Sequence, residues 1–289
     1  MSELSSFRHD TDGERLSGTY GGGSEDDGDG GPGGTTVVLL HGAGNGSKER
    51  LLPLQAEFAA RGCHAVAFDF SGHGESSGAL RELSLRRRFE QAVSVIDAHA
   101  PADGPLVLVG FSMSGQTVAD LTAHYGDRVV ALGLCAPAVY AAEAWEVPFG
   151  DGTGRFSQII RTPDSWRGAP ALDALRAYTG RAVLAVPGSD AVIPPAVTEA
   201  VQDALTTRAR YTRLELPDAD HQLGRWLRDH PADREKFAAA VLTGLGDHGW
   251  TEPAPEVPRA PETPEVPGVP EIPGSRLEAY ARGLVERGG

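Results

Sequence analysis

Lysine is almost missing from this chain: Lys48 and Lys236 stand among 289 residues, with 26 Lys plus Arg against 40 Asp plus Glu and a formal charge of −14. A nucleic-acid backbone would be repelled by such a surface, which sets aside nucleic-acid binding. Cysteine is scarce as well. Cys63 and Cys135 sit in or beside apolar runs and read as buried free thiols in a reducing compartment rather than as a disulfide. Neither has metal-ligand spacing around it, so no metal site is expected. No apolar stretch is long enough to span a bilayer. The N-terminus lacks a charged segment followed by an apolar run, so no signal peptide is expected. These absences together predict a soluble cytoplasmic protein with no cofactor.

What is present is a rhythm. Residues 1–20 can form a hairpin around Asp12-Gly13, a pair that favours tight turns, and 21–34 is an acidic, glycine-rich loop, flexible by composition. From 35 onward, short apolar runs alternate with helical patterns. Val37 to Leu40, His64 to Phe70, Leu106 to Val109, Val129 to Leu134 and Ala182 to Val186 read as buried strands, and Tyr211 to Leu216 alternates like a strand nearer an edge. Between them, Glu49 to Arg61, Leu85 to Ile96 and Gln116 to Tyr125 carry apolar residues at helical spacing, and Arg234 to Leu245 closes the series. The alternation predicts an α/β fold, a mostly parallel sheet with helices on both faces and functional groups at the carboxyl ends of the strands.

Two stretches break the rhythm. Residues 141–180 are too long for a tight turn and carry Trp145, Phe149, Phe156 and Trp166, which predicts a small lid whose aromatics line a pocket. Residues 250–289 are a tail rich in Pro, Glu and Val, disordered by composition, with helical spacing at 275–287 that would let the tail dock to a protein partner. The domain proper is therefore placed at 35–249.

The chemistry concentrates at strand ends. Gly110-Phe111-Ser112-Met113-Ser114-Gly115 joins a buried strand to a helix, and a serine at such a turn presents its hydroxyl above a helix N-terminus. The pattern Gly-x-Ser-x-Gly would place glycine at 114, where this chain has Ser114. Asp190 follows the strand at 182–186, and His221 follows the last strand. A serine hydroxyl needs a base, an imidazole titrates near the working pH, and a carboxylate fixes the imidazole tautomer, so Ser112, His221 and Asp190 form a coherent set. Rivals stay open: Ser114 as nucleophile, Asp218 or Asp220 as acid, His41 or His73 as base. His230 and His248 read as surface residues. The loop Gly42-Ala43-Gly44-Asn45-Gly46 has the glycines of a phosphate cradle but lacks the Gly-Lys-Ser/Thr ending. An aspartate nucleophile is excluded, because the turn holds serine.

The His41-Gly42 loop, the Gly72-His73-Gly74-Glu75-Ser76 turn, the serine turn and the order Ser112, Asp190, His221 resemble the α/β-hydrolase superfamily over residues 35–245. Within it the chain is most similar to small-lid hydrolases of the serine-aminopeptidase and feruloyl-esterase kinds. The resemblance implies an α/β-hydrolase fold, a catalytic triad of Ser112, Asp190 and His221, and an oxyanion hole made by the backbone N–H groups of Ala43 and Met113. The activity it implies is hydrolysis of an ester or thioester of a small-molecule acyl substrate through an acyl-enzyme. Cleavage of small peptides or amides, cyclisation or acyl transfer in a biosynthetic enzyme, and a binding protein on the same scaffold are the other classes such a chain can serve.

Overall fold

The computed structural model describes residues 4–22 and 34–245. Most of the acidic glycine-rich loop, the tail at 250–289 and the helix expected at 275–287 lie outside them, as does His248. The chain begins with two strands, β1 (Ser5–Thr11) and β2 (Glu14–Gly21), paired antiparallel. The turn between them has positive φ at both Asp12 (55°) and Gly13 (72°), the geometry that matches the twist of a two-residue hairpin.

Six further strands follow: β3 (Thr36–Leu40), β4 (His64–Phe68), β5 (Leu106–Phe111), β6 (Val129–Cys135), β7 (Arg181–Ser189) and β8 (Arg210–Asp220). All eight form one open sheet in the order β1-β2-β4-β3-β5-β6-β7-β8. From β4 to β8 every pairing is parallel, and β2 joins antiparallel to β4. The hairpin expected ahead of the domain is therefore part of its sheet, because β2 satisfies the backbone edge that β4 would otherwise leave open.

The central strands are buried from end to end, as strands covered on both faces must be. Alternate residues feed two cores. Val38, Leu40, Val66, Leu108 and Leu132 pack with α2 (Leu85–His99), α3 (Ser114–Tyr125), α5 (Pro170–Ala177) and α6 (Pro195–Leu205) on one face. Val37, Leu39, Ala67, Val109 and Val183 pack with α1 (Leu52–Ala60), α7 (Leu223–Asp229) and α8 (Pro231–Leu242) on the other. Helix α3 begins at Ser114, two residues before the start expected from periodicity, since the strand turns directly into it. No described helix is long and apolar enough to cross a membrane.

The excursion between β6 and β7 divides in two. Helix α5 buries Ala171, Leu172 and Leu175 and is an ordinary crossover helix, so the lid-like part is limited to what precedes it, with α4 (Arg155–Arg161) and two short 3-10 turns. Central glycines allow the layers to approach. A Cβ on Gly133 of β6 would lie 2.8 Å from the end of the Phe237 ring on α8, which is itself fully buried. Gly133→Ala should therefore cost about 1–3 kcal/mol, seen as a lower urea midpoint with an unchanged slope.

Candidate active site

The residues singled out by spacing meet at the carboxyl edge of the sheet. Ser112 stands between the last residue of β5 and the first turn of α3 with φ of +50°. This left-handed backbone costs an L-residue about 1–2 kcal/mol and is held by its neighbours. The Ser112 N–H donates to the Cys135 carbonyl at 2.9 Å, and the Ser112 carbonyl accepts from Gly115 and Ala138 at 2.8 and 2.9 Å. Gly110 and Gly115 make the turn possible, because a Cβ on Gly110 would lie 2.7 Å from the Ser114 carbonyl and one on Gly115 would lie 2.5 Å from Pro137.

Three side chains line up across this edge. The Ser112 hydroxyl lies 3.0 Å from His221 Nε2, and His221 Nδ1 lies 2.9 Å from Asp190 Oδ2. The Nδ1–H donates to the carboxylate, which leaves Nε2 as the acceptor facing Ser112. Asp190 is fixed in turn, since its Oδ1 accepts the backbone N–H groups of Val192 and Ile193, each at 2.8 Å. His221 and Asp190 keep only 10% and 14% of their side-chain surface exposed, so the three side chains meet in a low-dielectric setting, with Ser112 partly exposed.

The rivals are occupied elsewhere. Ser114 is fully buried and its hydroxyl donates to the His41 carbonyl at 2.7 Å. Asp220 accepts from the Gln222 N–H and from Arg225, and it lines with Asp218, Trp226 and His230 a separate surface cavity of about 250 Å³. The ring of His230 stacks on Trp226. His41 donates from Nδ1 to the Gly42 carbonyl and accepts the Phe70 N–H at Nε2. Burial, and then the charge of Arg88, push its pKa well below the ordinary value. His73 is held down in the same way and donates to the Ser71 carbonyl. Both histidines are neutral loop-builders. Burial raises the pKa of both thiols, that of Cys63 to about 11, which leaves neither as a nucleophile at neutral pH.

The loop 41–47 runs along the serine turn. A Cβ on Gly42 would sit 3.2 Å from Ser112 Cβ, and one on Gly46 only 2.4 Å from the Gly42 carbonyl. Among the described residues the backbone N–H groups of Ala43 and Met113 donate to no protein acceptor. At its far end the loop is anchored by Lys48, whose Nζ donates to Asp69 at 2.9 Å and to Glu75 at 3.3 Å, while the Lys48 N–H meets the other Asp69 oxygen at 2.6 Å. This lysine serves a carboxylate, not a phosphate.

Of the four lid aromatics, Trp145 and Phe156 belong to the core, 8% and 5% exposed. Trp145 packs on Phe89 of α2, and its carbonyl accepts the Arg86 N–H, so this part of the segment is laid down on the helix. Phe149 and Trp166 are half-buried, Phe149 against Phe156 with ring centroids 4.6 Å apart. Two participants escaped the sequence reading. Lys48 stands beside the glycine-rich loop, and Arg88 is the last of three consecutive arginines, which no motif singles out. The available signal for Arg88 was its place three residues after Leu85 and four before Ala92, on the apolar face of α2.

Residues 32–162 match the family model described as serine aminopeptidase, S33. A pyrethroid hydrolase of Sphingobium wenxiniae is 31% identical over 47% of this chain and 49% of its own, so the match spans about half of that relative. The thioesterase domain from the curacin biosynthetic pathway superposes with a TM-score of 0.60 at 18% identity, covering 83% of this chain and all of that domain. Est1E from Butyrivibrio proteoclasticus, solved with ferulic acid, does so with 0.59 at 15%, covering 82% of this chain and 99% of Est1E.

The Lys48–Asp69 pair is buried on both sides, with 3% and 0% of side-chain surface exposed. Lys48→Met strands the Asp69 charge and should cost on the order of 3 kcal/mol, read as a lowered urea midpoint. By its sheet order, its strand-to-helix serine turn and its superposition on these solved structures, the chain has the α/β-hydrolase fold.

Proposed function

We propose that the protein is a serine hydrolase that cleaves an ester or thioester of a small, partly apolar acyl substrate through an acyl-enzyme. The observation that carries this is the continuous relay from Ser112 Oγ through His221 to Asp190, with both contacts at hydrogen-bond length and both ends of the imidazole engaged. The partial match to a pyrethroid hydrolase supports hydrolysis as the reaction class.

The steps follow from the atoms. His221 Nε2 takes the Ser112 proton as Oγ attacks the substrate carbonyl carbon. Asp190 stabilises the imidazolium and keeps its ring in place. The negative charge on the carbonyl oxygen is taken by the backbone N–H groups of Ala43 and Met113, and the N-terminal end of α3 adds its dipole. His221 then gives its proton to the leaving alcohol or thiol. Water, deprotonated by the same nitrogen, attacks the acyl-enzyme; the bond from the acyl carbon to Ser112 Oγ breaks, His221 returns its proton to Oγ, and the acid leaves. Phe149 and Trp166, half-buried in the excursion between β6 and β7, are the aromatics left to meet the acyl group. The match of residues 32–162 to a serine-aminopeptidase family model supports a second reading, cleavage of a short peptide or amide by the same relay.

A fluorophosphonate probe should label the wild type and Ser114→Ala but not Ser112→Ala. Hydrolysis of p-nitrophenyl butyrate should fall by about ten-thousandfold or more in Ser112→Ala and by about ten-thousandfold in Asp190→Asn. A wild type that neither labels nor cleaves p-nitrophenyl esters refutes the proposal. Turnover of aminoacyl p-nitroanilides above that of esters selects the peptidase reading.

A further inference from the structure

Among the described residues Arg88 is the largest side chain that is fully buried, and no carboxylate lies among the influences on its charge. One nitrogen, Nη2, carries all of its hydrogen bonds: it donates to the His41 carbonyl and to the Ser114 hydroxyl, each at 2.7 Å. The Ser114 hydroxyl donates to that same carbonyl, again at 2.7 Å, so the three groups close a triangle. Nε and Nη1 have no partner among the described residues, and the guanidinium lies 3.8 Å over the Phe70 ring. Burial pushes its pKa down to about 9, which leaves it protonated at neutral pH. A buried cation without a counter-ion is costly, and sites that keep one tend to use it.

The triangle has a particular place in the chain. Its carbonyl belongs to the residue two before Ala43, and its hydroxyl to the residue one after Met113. It thus ties together the two segments that carry the proposed oxyanion donors, at the one position where this chain departs from the glycine of the serine-turn pattern. We propose that Arg88 and Ser114 are a positioning pair that sets the spacing of the oxyanion hole, with the Arg88 charge adding to the field behind it. The proposal rests on the reading of Ser112 as nucleophile. Ser114 is then a built component: glycine at 114 would leave Nη2 with one acceptor and the His41 carbonyl with one donor.

The test compares wild type, Ser114→Ala, Ser114→Gly, Arg88→Met, Arg88→Lys and the Ser114→Ala/Arg88→Met double variant on p-nitrophenyl butyrate and with the fluorophosphonate probe, alongside thermal unfolding. A misplacement of the donors by a fraction of an ångström should lower kcat by about tenfold to a hundredfold, with KM within about twofold of wild type. The probe should react at Ser112 at a rate reduced in parallel. Arg88→Lys, which keeps the charge and one donor, should recover part of the loss. The double variant should be no worse than the poorer single one, because the two residues act as a unit. The pair is refuted if Ser114→Ala and Ser114→Gly, folded as judged by their unfolding transitions, keep kcat within twofold, or if the loss falls on KM. Independent, multiplicative effects in the double variant refute it too. Ser114→Gly removes the hydroxyl without adding bulk and decides the matter if Arg88→Met does not fold. A wild type that resists the probe overturns the nucleophile assignment and the pair with it, whereas a labelled wild type with unaffected variants overturns the pair alone.

Discussion

The backbone of Ser112 is the constraint around which the rest is arranged. With φ at +50° the chain leaves β5 and enters α3 within two residues, and no relaxed L-residue geometry does this. The strain is held by hydrogen bonds to Cys135, Gly115 and Ala138. The turn aims the hydroxyl away from the sheet and brings the helix N-terminus, with its unsatisfied N–H groups, to the same point. It also dictates composition nearby, since side chains at Gly110 and Gly115 would collide with the turn or with what covers it, and one at Gly42 would crowd it.

Behind the turn lies a polar layer that is almost entirely buried. Lys48 and Asp69 pin one end of the loop that follows β3, and the Arg88–Ser114–His41 triangle pins the other. His41 stays neutral because burial and the neighbouring Arg88 charge both disfavour its cation. That neutrality lets Nε2 accept the Phe70 N–H and couple this loop to the one after β4. Rigidity at the candidate oxyanion hole therefore comes from polar groups satisfied by one another, in a region where apolar packing alone would not fix the direction of a backbone N–H.

The excursion between β6 and β7 follows different rules. Its apolar residues are shared between the core and the region over the sheet edge. Trp145 and Phe156 are drawn into the core by Phe89, Tyr140 and Phe149, while Phe149 and Trp166 stay half-buried. If the proposed acyl-enzyme chemistry holds, this short segment is where acyl-group preference would be set.

Much of this was legible in the chain itself. The alternation of apolar runs with helical patterns specified a parallel sheet, because strands buried on both faces cannot alternate polar and apolar residues. The order of Ser112, Asp190 and His221 at successive strand ends was equally visible. Its strand-end setting favoured Asp190 over Asp218 and Asp220 although both stand nearer to His221 in the chain, and the structure brings Asp190 to the imidazole. Nor could it show that Trp145 is core and that Arg88 is buried, since an aromatic in an excursion and an arginine in a run of three read as exposed until the packing partners are known. Pairing β2 with β4, burying Lys48 against Asp69 and giving Ser114 its two partners all join residues far apart in the chain. Local propensity carries no term for such contacts, and only the tertiary structure sets them.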